Sequence, residues 1–337
     1  MSTTVDAPVA RDYLERYLGG DRTDRALVEA VEGGGEGPVD PHDREALGRL
    51  ARRHSTDLAT LYFVARLYEQ PDNRRAQDTY HAYLRGARRG AADPGYLVAF
   101  VPGYAYRRDP TTGADFARQR AVLEAAGFRT LLIETEELAS VEHNAGLVAT
   151  RLAALAEREE RIIVVSASKG GPETALALGE SLGPAAAGRV KAWVSVGGLL
   201  RGSPYADRYL GWPRRWLAAL ALAWEGLPAG LVRDMSTGER APTLARLRLP
   251  PHLVTLQYVG APLSGQVPPW SRGRYCVLSA HGPNDGLTLL ADELLPGGLV
   301  VTDLGLDHYY QDPAIDLKTL ALLHTVLDAL RRRAPPA

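Results

Sequence analysis

The sequence predicts an α/β fold: a mostly parallel sheet with flanking helices, a helical lid insertion and an N-terminal helical extension. Two observations carry this. From Gly95 onward, short apolar runs rich in Val, Ile and Leu alternate with longer amphipathic stretches, as strands do with crossover helices in a parallel sheet. Before about Gly90 the apolar residues recur at helical spacing instead, for example Leu58, Leu61, Val64 and Leu67. The division falls near residue 92, giving an N-terminal helical region, 1–92, and an α/β domain, 93–337.

In the first region about four short helices are expected, with Asp43 and Ser55 as N-caps. The glycine-rich run 33–37 and the Pro38 to Pro41 segment read as a loop or linker, because phosphate-cradling glycines need a preceding strand and this run has none. The predicted strands of the second region are 96–101, 130–133, 161–166, 192–196, 253–259, 275–278 and 299–304. The stretches 114–126, 144–156 and 171–182 read as crossover helices, and 317–331 as a final helix. Arg331, Arg332 and Arg333 complement the dipole at its C-terminal turn. One segment, 202–251, interrupts the alternation with Trp212, Trp216 and Trp224 in a helical apolar stretch, where a cap or lid would sit.

Composition excludes several classes of function. Among 337 residues, 39 Lys and Arg balance 40 Asp and Glu, so no global field draws nucleic acid or an anionic membrane. Cys276 is the one cysteine, which excludes an internal disulfide and any multi-cysteine metal site. The histidines share no ligand spacing with a carboxylate, so neither a metal nor a cofactor is implied. No run of about 18 apolar residues, the length of a membrane span, occurs. The stretch from Met1 to Leu18 mixes Asp, Arg and Glu with its apolar residues and lacks a secretory pattern, so a cytoplasmic location is expected.

The chemistry centres on Ile162-Ile163-Val164-Val165-Ser166-Ala167-Ser168-Lys169-Gly170-Gly171, a buried-looking strand running into a turn of small residues and then a helix. A turn this tight needs small residues two before and two after its centre, and it holds the central residue, Ser168, in a strained conformation with its hydroxyl exposed. Ser166 stands at the first small position and Gly170 at the second.

This segment resembles the nucleophile elbow of the α/β-hydrolase superfamily, and its surroundings are similar to the lipases and esterases of that group. Val101-Pro102-Gly103-Tyr104 resembles the lipase oxyanion loop, with Pro102 where many lipases have His. Ser140 to Ala145 resembles the start of the helix before the elbow strand, and Val196 to Asp207 the strand after it with its Gly-Ser-Pro turn. The likeness spans roughly Gly95 to Asp312 and leaves out the N-terminal helices. It implies a serine esterase whose triad follows in the chain order Ser, acid, His.

A serine hydroxyl needs a base, and the base needs a carboxylate to hold its tautomer. Asn284-Asp285-Gly286-Leu287 follows the predicted strand 275–278, and Leu304-Gly305-Leu306-Asp307-His308 follows the last strand. They resemble the family's acid and histidine loops, which makes Asp285 the acid and His308 the base. Asp285 also fits a plain Asx turn, and His308 a surface loop; Asp303 is the reserve acid and His281 the reserve base. The resemblance further implies an oxyanion hole from the backbone N–H groups of Tyr104 and Lys169, with the Lys169 side chain reading as solvent-exposed. Trp212, Trp216 and Leu220 are the candidate substrate contacts, in an apolar acyl or aryl pocket under the lid. The partner so implied is a small-molecule or lipid-like ester. Thioester hydrolysis or acyl transfer would use the same residues, and a non-catalytic binding protein on this fold is the reading from another class.

Overall fold

The computed structural model of the chain describes residues 7–88, 90, 93, 95–211 and 229–333. Among these, six strands form one parallel sheet: β1 Leu97–Val101, β2 Arg129–Leu132, β3 Ile162–Ala167, β4 Val190–Val196, β5 Val254–Ala261 and β6 Leu299–Leu304, in the order β2-β1-β3-β4-β5-β6. Five helices precede it: α1 Pro8–Leu18, α2 Ala26–Val31, α3 Arg44–Arg53, α4 Thr56–Glu69 and α5 Pro71–Leu84. Between the strands run α6 Ala117–Ala125, α7 Val141–Ala156, α8 Gly170–Leu176, α9 Pro184–Ala187, α10 Pro204–Leu210, α11 Ala229–Asp234, α12 Thr237–Arg246 and α13 Pro269–Ser279. Helix α14, Ile315–Arg333, follows β6.

Strand residues alternate between the two faces of the sheet, and each face has its own cover. Val98, Phe100, Ile163 and Val165 pack with Tyr80 of α5, Leu123 of α6 and Leu323 of α14. Their neighbours Ala99, Val101, Ile162 and Val164 pack with Val148 of α7 and Leu176 of α8. A central strand covered on both faces must be apolar along its whole length, which is why β1 and β3 read as continuous Val and Ile runs.

The helices α1 to α4 join a third cluster with Val259, Ala261 and Val300 of the last two strands. Helix α5 does more than cover apolar surface. As an edge strand, β6 leaves backbone groups without a strand partner. The N–H groups of Val300 and Thr302 donate to Asn73 Oδ1 at 2.9 Å and Gln77 Oε1 at 2.8 Å, and Gln77 Nε2 donates to the Thr302 carbonyl at 2.9 Å. Four residues along a helix advance about 6 Å and two along a strand about 6.6 Å, so amides at i and i+4 match an edge at i and i+2.

The caps form as the residue types predict: Asp43 accepts from the N–H groups of Glu45 and Ala46, and Ser55 from that of Leu58. Three expectations need correction. The glycine-rich run is not a linker: Glu32–Glu36 is a wide helical turn continuing α2, bent at Gly35 with φ 95°. The predicted strand 275–278 is part of helix α13. Its buried residues, Ser271, Tyr275 and Leu278, fall at i, i+4 and i+7 behind a proline at the first helical position, a period that a four-residue apolar window cannot reveal. The acid loop therefore follows a helix, not a strand. In the 202–251 insertion α10, α11 and α12 are helical, while Trp212, Trp216 and Leu220 lie outside the described residues.

Candidate active site

Ser168 directly follows β3 and takes the left-handed conformation, φ 50°, which costs a residue with a Cβ about 1–2 kcal/mol. Backbone bonds hold it there: its N–H donates to the Val196 carbonyl at 3.1 Å, and its carbonyl accepts from Gly171 at 3.0 Å and Leu199 at 3.2 Å. Gly170 has to be glycine, because a Cβ at this position would lie 2.5 Å from the Pro102 carbonyl oxygen. The elbow and the loop after β1 are thus pressed together. Ser166, at the other small position, is buried and accepts a 2.8 Å hydrogen bond from Trp193 Nε1 on the neighbouring strand, which satisfies its hydroxyl.

One imidazole joins the three sequence-predicted residues. His308 Nε2 lies 2.9 Å from Ser168 Oγ, and Nδ1 lies 2.5 Å from Asp285 Oδ2. Facing a carboxylate, Nδ1 carries the ring proton, which leaves Nε2 free to accept from the serine hydroxyl. Asp285 is fully buried, and its other oxygen, Oδ1, accepts from the N–H groups of Leu287 at 2.8 Å and Thr288 at 2.7 Å. The Asx turn and the partnership with histidine are therefore both made by Asp285, one with each oxygen. The His308 N–H donates to the Asp285 carbonyl at 2.9 Å, tying the two loops together. The Tyr310 hydroxyl anchors the histidine loop to β5, donating to the Tyr258 carbonyl at 2.7 Å and accepting from the Gly260 N–H at 2.8 Å.

The reserve residues are engaged elsewhere. Asp303 Oδ2 accepts from the hydroxyls of Tyr80 at 2.9 Å and Tyr258 at 2.8 Å and pairs with Lys318 Nζ at 2.8 Å. His281 is exposed, and both nitrogens of His308 are already in use. Asp307, next to the histidine, accepts instead from Ser271 Oγ at 2.9 Å and the Tyr309 N–H at 3.1 Å.

Lys169 corrects an expectation: its side chain is buried, not exposed. Nζ pairs with Glu173 Oε1 at 2.7 Å, one helical turn on, and the same oxygen accepts from Asn144 Nδ2 of α7 at 2.7 Å. Burial pushes the Glu173 carboxyl up to about 7 against this pairing. The i, i+4 spacing was the available signal. Among the described residues, neither the Tyr104 nor the Lys169 N–H has a hydrogen-bond partner within the protein. Gly103 brings the first of them close: a Cβ there would lie 3.4 Å from Ser168 Cβ.

A cavity of about 830 Å³ opens beside Ser168 and His308. It runs between the sheet and the helices α6 and α14, with Phe100, Phe116, Val165, Val194, Leu322 and Leu323 in its wall and Asp109, Arg118 and Lys318 among its polar residues. In the sequence these residues are core positions of strands and helices and carry no local mark of a pocket. Among the described residues no group of His, Cys, Asp or Glu could hold a metal ion, and no helix is long and apolar enough to cross a membrane.

The chain superposes on a metagenomic carboxyl esterase with a TM-score of 0.58 and 23% identity, covering 73% of this chain and 79% of the other. It also matches the mature form of a Bacillus licheniformis lipase with a TM-score of 0.55 and 19% identity, over 72% of this chain and 95% of that one. The chain has the α/β-hydrolase fold. No protein-family model and no curated protein matches the sequence. Within the hydrolase fold, Ser168 occupies the turn between β3 and α8, and Asp285 and His308 lie on the loops before and after β6.

Proposed function

We propose that the chain is a serine hydrolase that cleaves carboxylic esters, with Ser168 as nucleophile, His308 as base and then acid, and Asp285 holding the imidazole. The observation that carries the reading is the single ring that bridges Ser168 Oγ at 2.9 Å and Asp285 Oδ2 at 2.5 Å. In the first step His308 Nε2 takes the serine proton while Oγ attacks the acyl carbon. The carbonyl electron pair moves onto oxygen, where the Tyr104 and Lys169 N–H groups donate to it. Collapse of this intermediate expels the alkoxide, which leaves with the proton from Nε2, and an ester of Ser168 remains. Water, deprotonated by the same nitrogen, repeats the sequence and releases the acid.

The esterase and lipase among the structural relatives support the bond class. The cavity supports the acyl side of the substrate: about 830 Å³ is within the usual size of a small-molecule site, and its inner wall is apolar, favouring a medium-length chain. In this reading 202–251 acts as a lid, with Trp212, Trp216 and Leu220 as candidate substrate contacts, and region 1–92 is a helical region beside the hydrolase domain 93–337.

The test is covalent labelling with a fluorophosphonate probe and peptide mapping on wild type and Ser168→Ala. The probe should attach to Ser168 and fail to label the variant. A folded wild type that resists the probe would support the non-catalytic binding protein instead.

A further inference from the structure

We infer that Glu293 is a positioning residue that holds a proton and donates it in a hydrogen bond to Asp285, an assignment that rests on the triad reading above. Glu293 ends a short turn, Leu290–Glu293, on the stretch between the Asp285 loop and β6. It is 1% exposed, and neither carboxyl oxygen meets a hydrogen-bond donor among the described residues. The acid that bears most strongly on it is the Asp285 carboxyl, itself fully buried.

Two ionised carboxylates in contact out of water repel, and neither has a proton to offer the other. One proton between them removes both problems, and their surroundings decide which residue takes it. Asp285 has three donors fixed on it: the Leu287 N–H at 2.8 Å, the Thr288 N–H at 2.7 Å and the His308 Nδ1–H at 2.5 Å. Each stabilises the anion. Glu293 has none, and the other acidic groups bearing on it are Asp292, paired with Arg44 at 3.1 Å, and the Tyr310 phenol. Burial, reinforced by the charges of Asp285 and Asp292, pushes the Glu293 carboxyl well above the usual carboxylate range. Its O–H then turns to Asp285 and becomes a further donor that fixes the carboxylate facing His308. The two acids have separate tasks: Asp285 supplies the charge and Glu293 holds its orientation.

The experiment compares wild type, Glu293→Gln and Glu293→Leu in ester hydrolysis across pH. The glutamine amide can donate as the protonated acid does, so kcat should stay within about threefold and the acid limb of the kcat/KM profile within about 0.3 pH unit. Leucine fills the site without a donor, and kcat should fall about ten- to a hundredfold at little-changed KM. An acid limb that moves down by about one unit or more in Glu293→Gln would mean that an ionised neighbour had been removed, and would overturn the inference. So would a leucine variant with the wild-type kcat and profile. Should the leucine variant not fold, the infrared difference spectrum of wild type minus Glu293→Gln at neutral pH decides. A lost carboxylic-acid carbonyl stretch supports the proton on Glu293, and a lost carboxylate band refutes it. Full esterase activity in Ser168→Ala would sink the triad reading by itself, and the infrared result would still settle where the proton resides.

Discussion

Replacing Asp285 with asparagine should cost far more activity than the loss of one charge, because the structure dictates which way the amide points. Oδ1 accepts from two buried N–H groups, Leu287 at 2.8 Å and Thr288 at 2.7 Å. An asparagine that keeps those bonds places its oxygen there and its NH₂ against His308 Nδ1, which must then act as acceptor. The ring proton moves to Nε2, the nitrogen 2.9 Å from Ser168 Oγ, and the imidazole loses its lone pair toward the serine hydroxyl. The flipped amide that preserves the working tautomer leaves two N–H groups facing a donor, at about 1–3 kcal/mol each. A cost of about 2 to 6 kcal/mol limits that orientation to between one molecule in about 30 and one in about 10⁴. Asp285→Asn should therefore lower kcat by a factor in that range, its upper end matching the effect of a wrong histidine tautomer in serine proteases. Steady-state hydrolysis of a p-nitrophenyl ester measures it, with the melting temperature as a check on folding. A folded variant within about tenfold of wild type would refute the tautomer argument, since even the smallest flipping cost predicts more.

Other consequences follow from the same geometry. Gln77→Ala strips the buried Thr302 edge of its donor and acceptor, so unfolding free energy should drop by about 1–3 kcal/mol with kcat unchanged well below the melting temperature; a loss under about 0.5 kcal/mol in a denaturant titration would mean that water caps the edge as well. Leu323→Trp fills the cavity between the sheet and α14, and the ratio of kcat/KM for octanoyl over acetyl esters should fall roughly tenfold or more; an unchanged ratio would place the acyl chain elsewhere. Burial raises the Asp292 carboxyl from 3.8 to about 6, despite Arg44 at 3.1 Å. A carboxyl raised on folding binds its proton more tightly in the native state, so its contribution is full below pH 3.8 and disappears as pH rises through about 6. Of the order of 3 kcal/mol is at stake, and Asp292→Asn should flatten that part of the stability profile by urea titration; parallel wild-type and variant profiles would contradict it.

What could be read from the chain beforehand was whatever neighbouring residues decide. The strand running into Ser166-Ala167-Ser168-Lys169-Gly170 announces a tight turn because small residues at fixed offsets have few other uses, and φ 50° at Ser168 is that turn realised. Asp43 and Ser55 cap helices through bonds two or three residues long. The helix at Pro269–Ser279 is hidden for the complementary reason: its short apolar core matches either period, and only the burial of Ser271, a polar residue, completes the stripe.

Contacts made across the chain leave no such local mark, and most of what surrounds Ser168, Asp285 and His308 is of this kind. Gln77 reaches Thr302 across 225 positions, and nothing near Gln77 in sequence signals that a sheet edge lies opposite. Lys169 reads as a surface lysine because nothing near it in sequence shows that its partner Glu173 is buried and bonded to Asn144 of α7. Glu293 did carry a clue of a different sort. In Leu289-Leu290-Ala291-Asp292-Glu293-Leu294-Leu295 two acids are enclosed by leucines, and a chain that buries such a run must neutralise both. It does so by different means: Asp292 faces a guanidinium, while Glu293, with no cation in reach of its oxygens among the described residues, is left to keep a proton. Acidic residues inside apolar runs thus merit the attention usually given to isolated histidines, since the chemistry that neutralises them is placed by the fold, and here the fold sets one of them to act on Asp285, whose carboxylate meets His308 Nδ1.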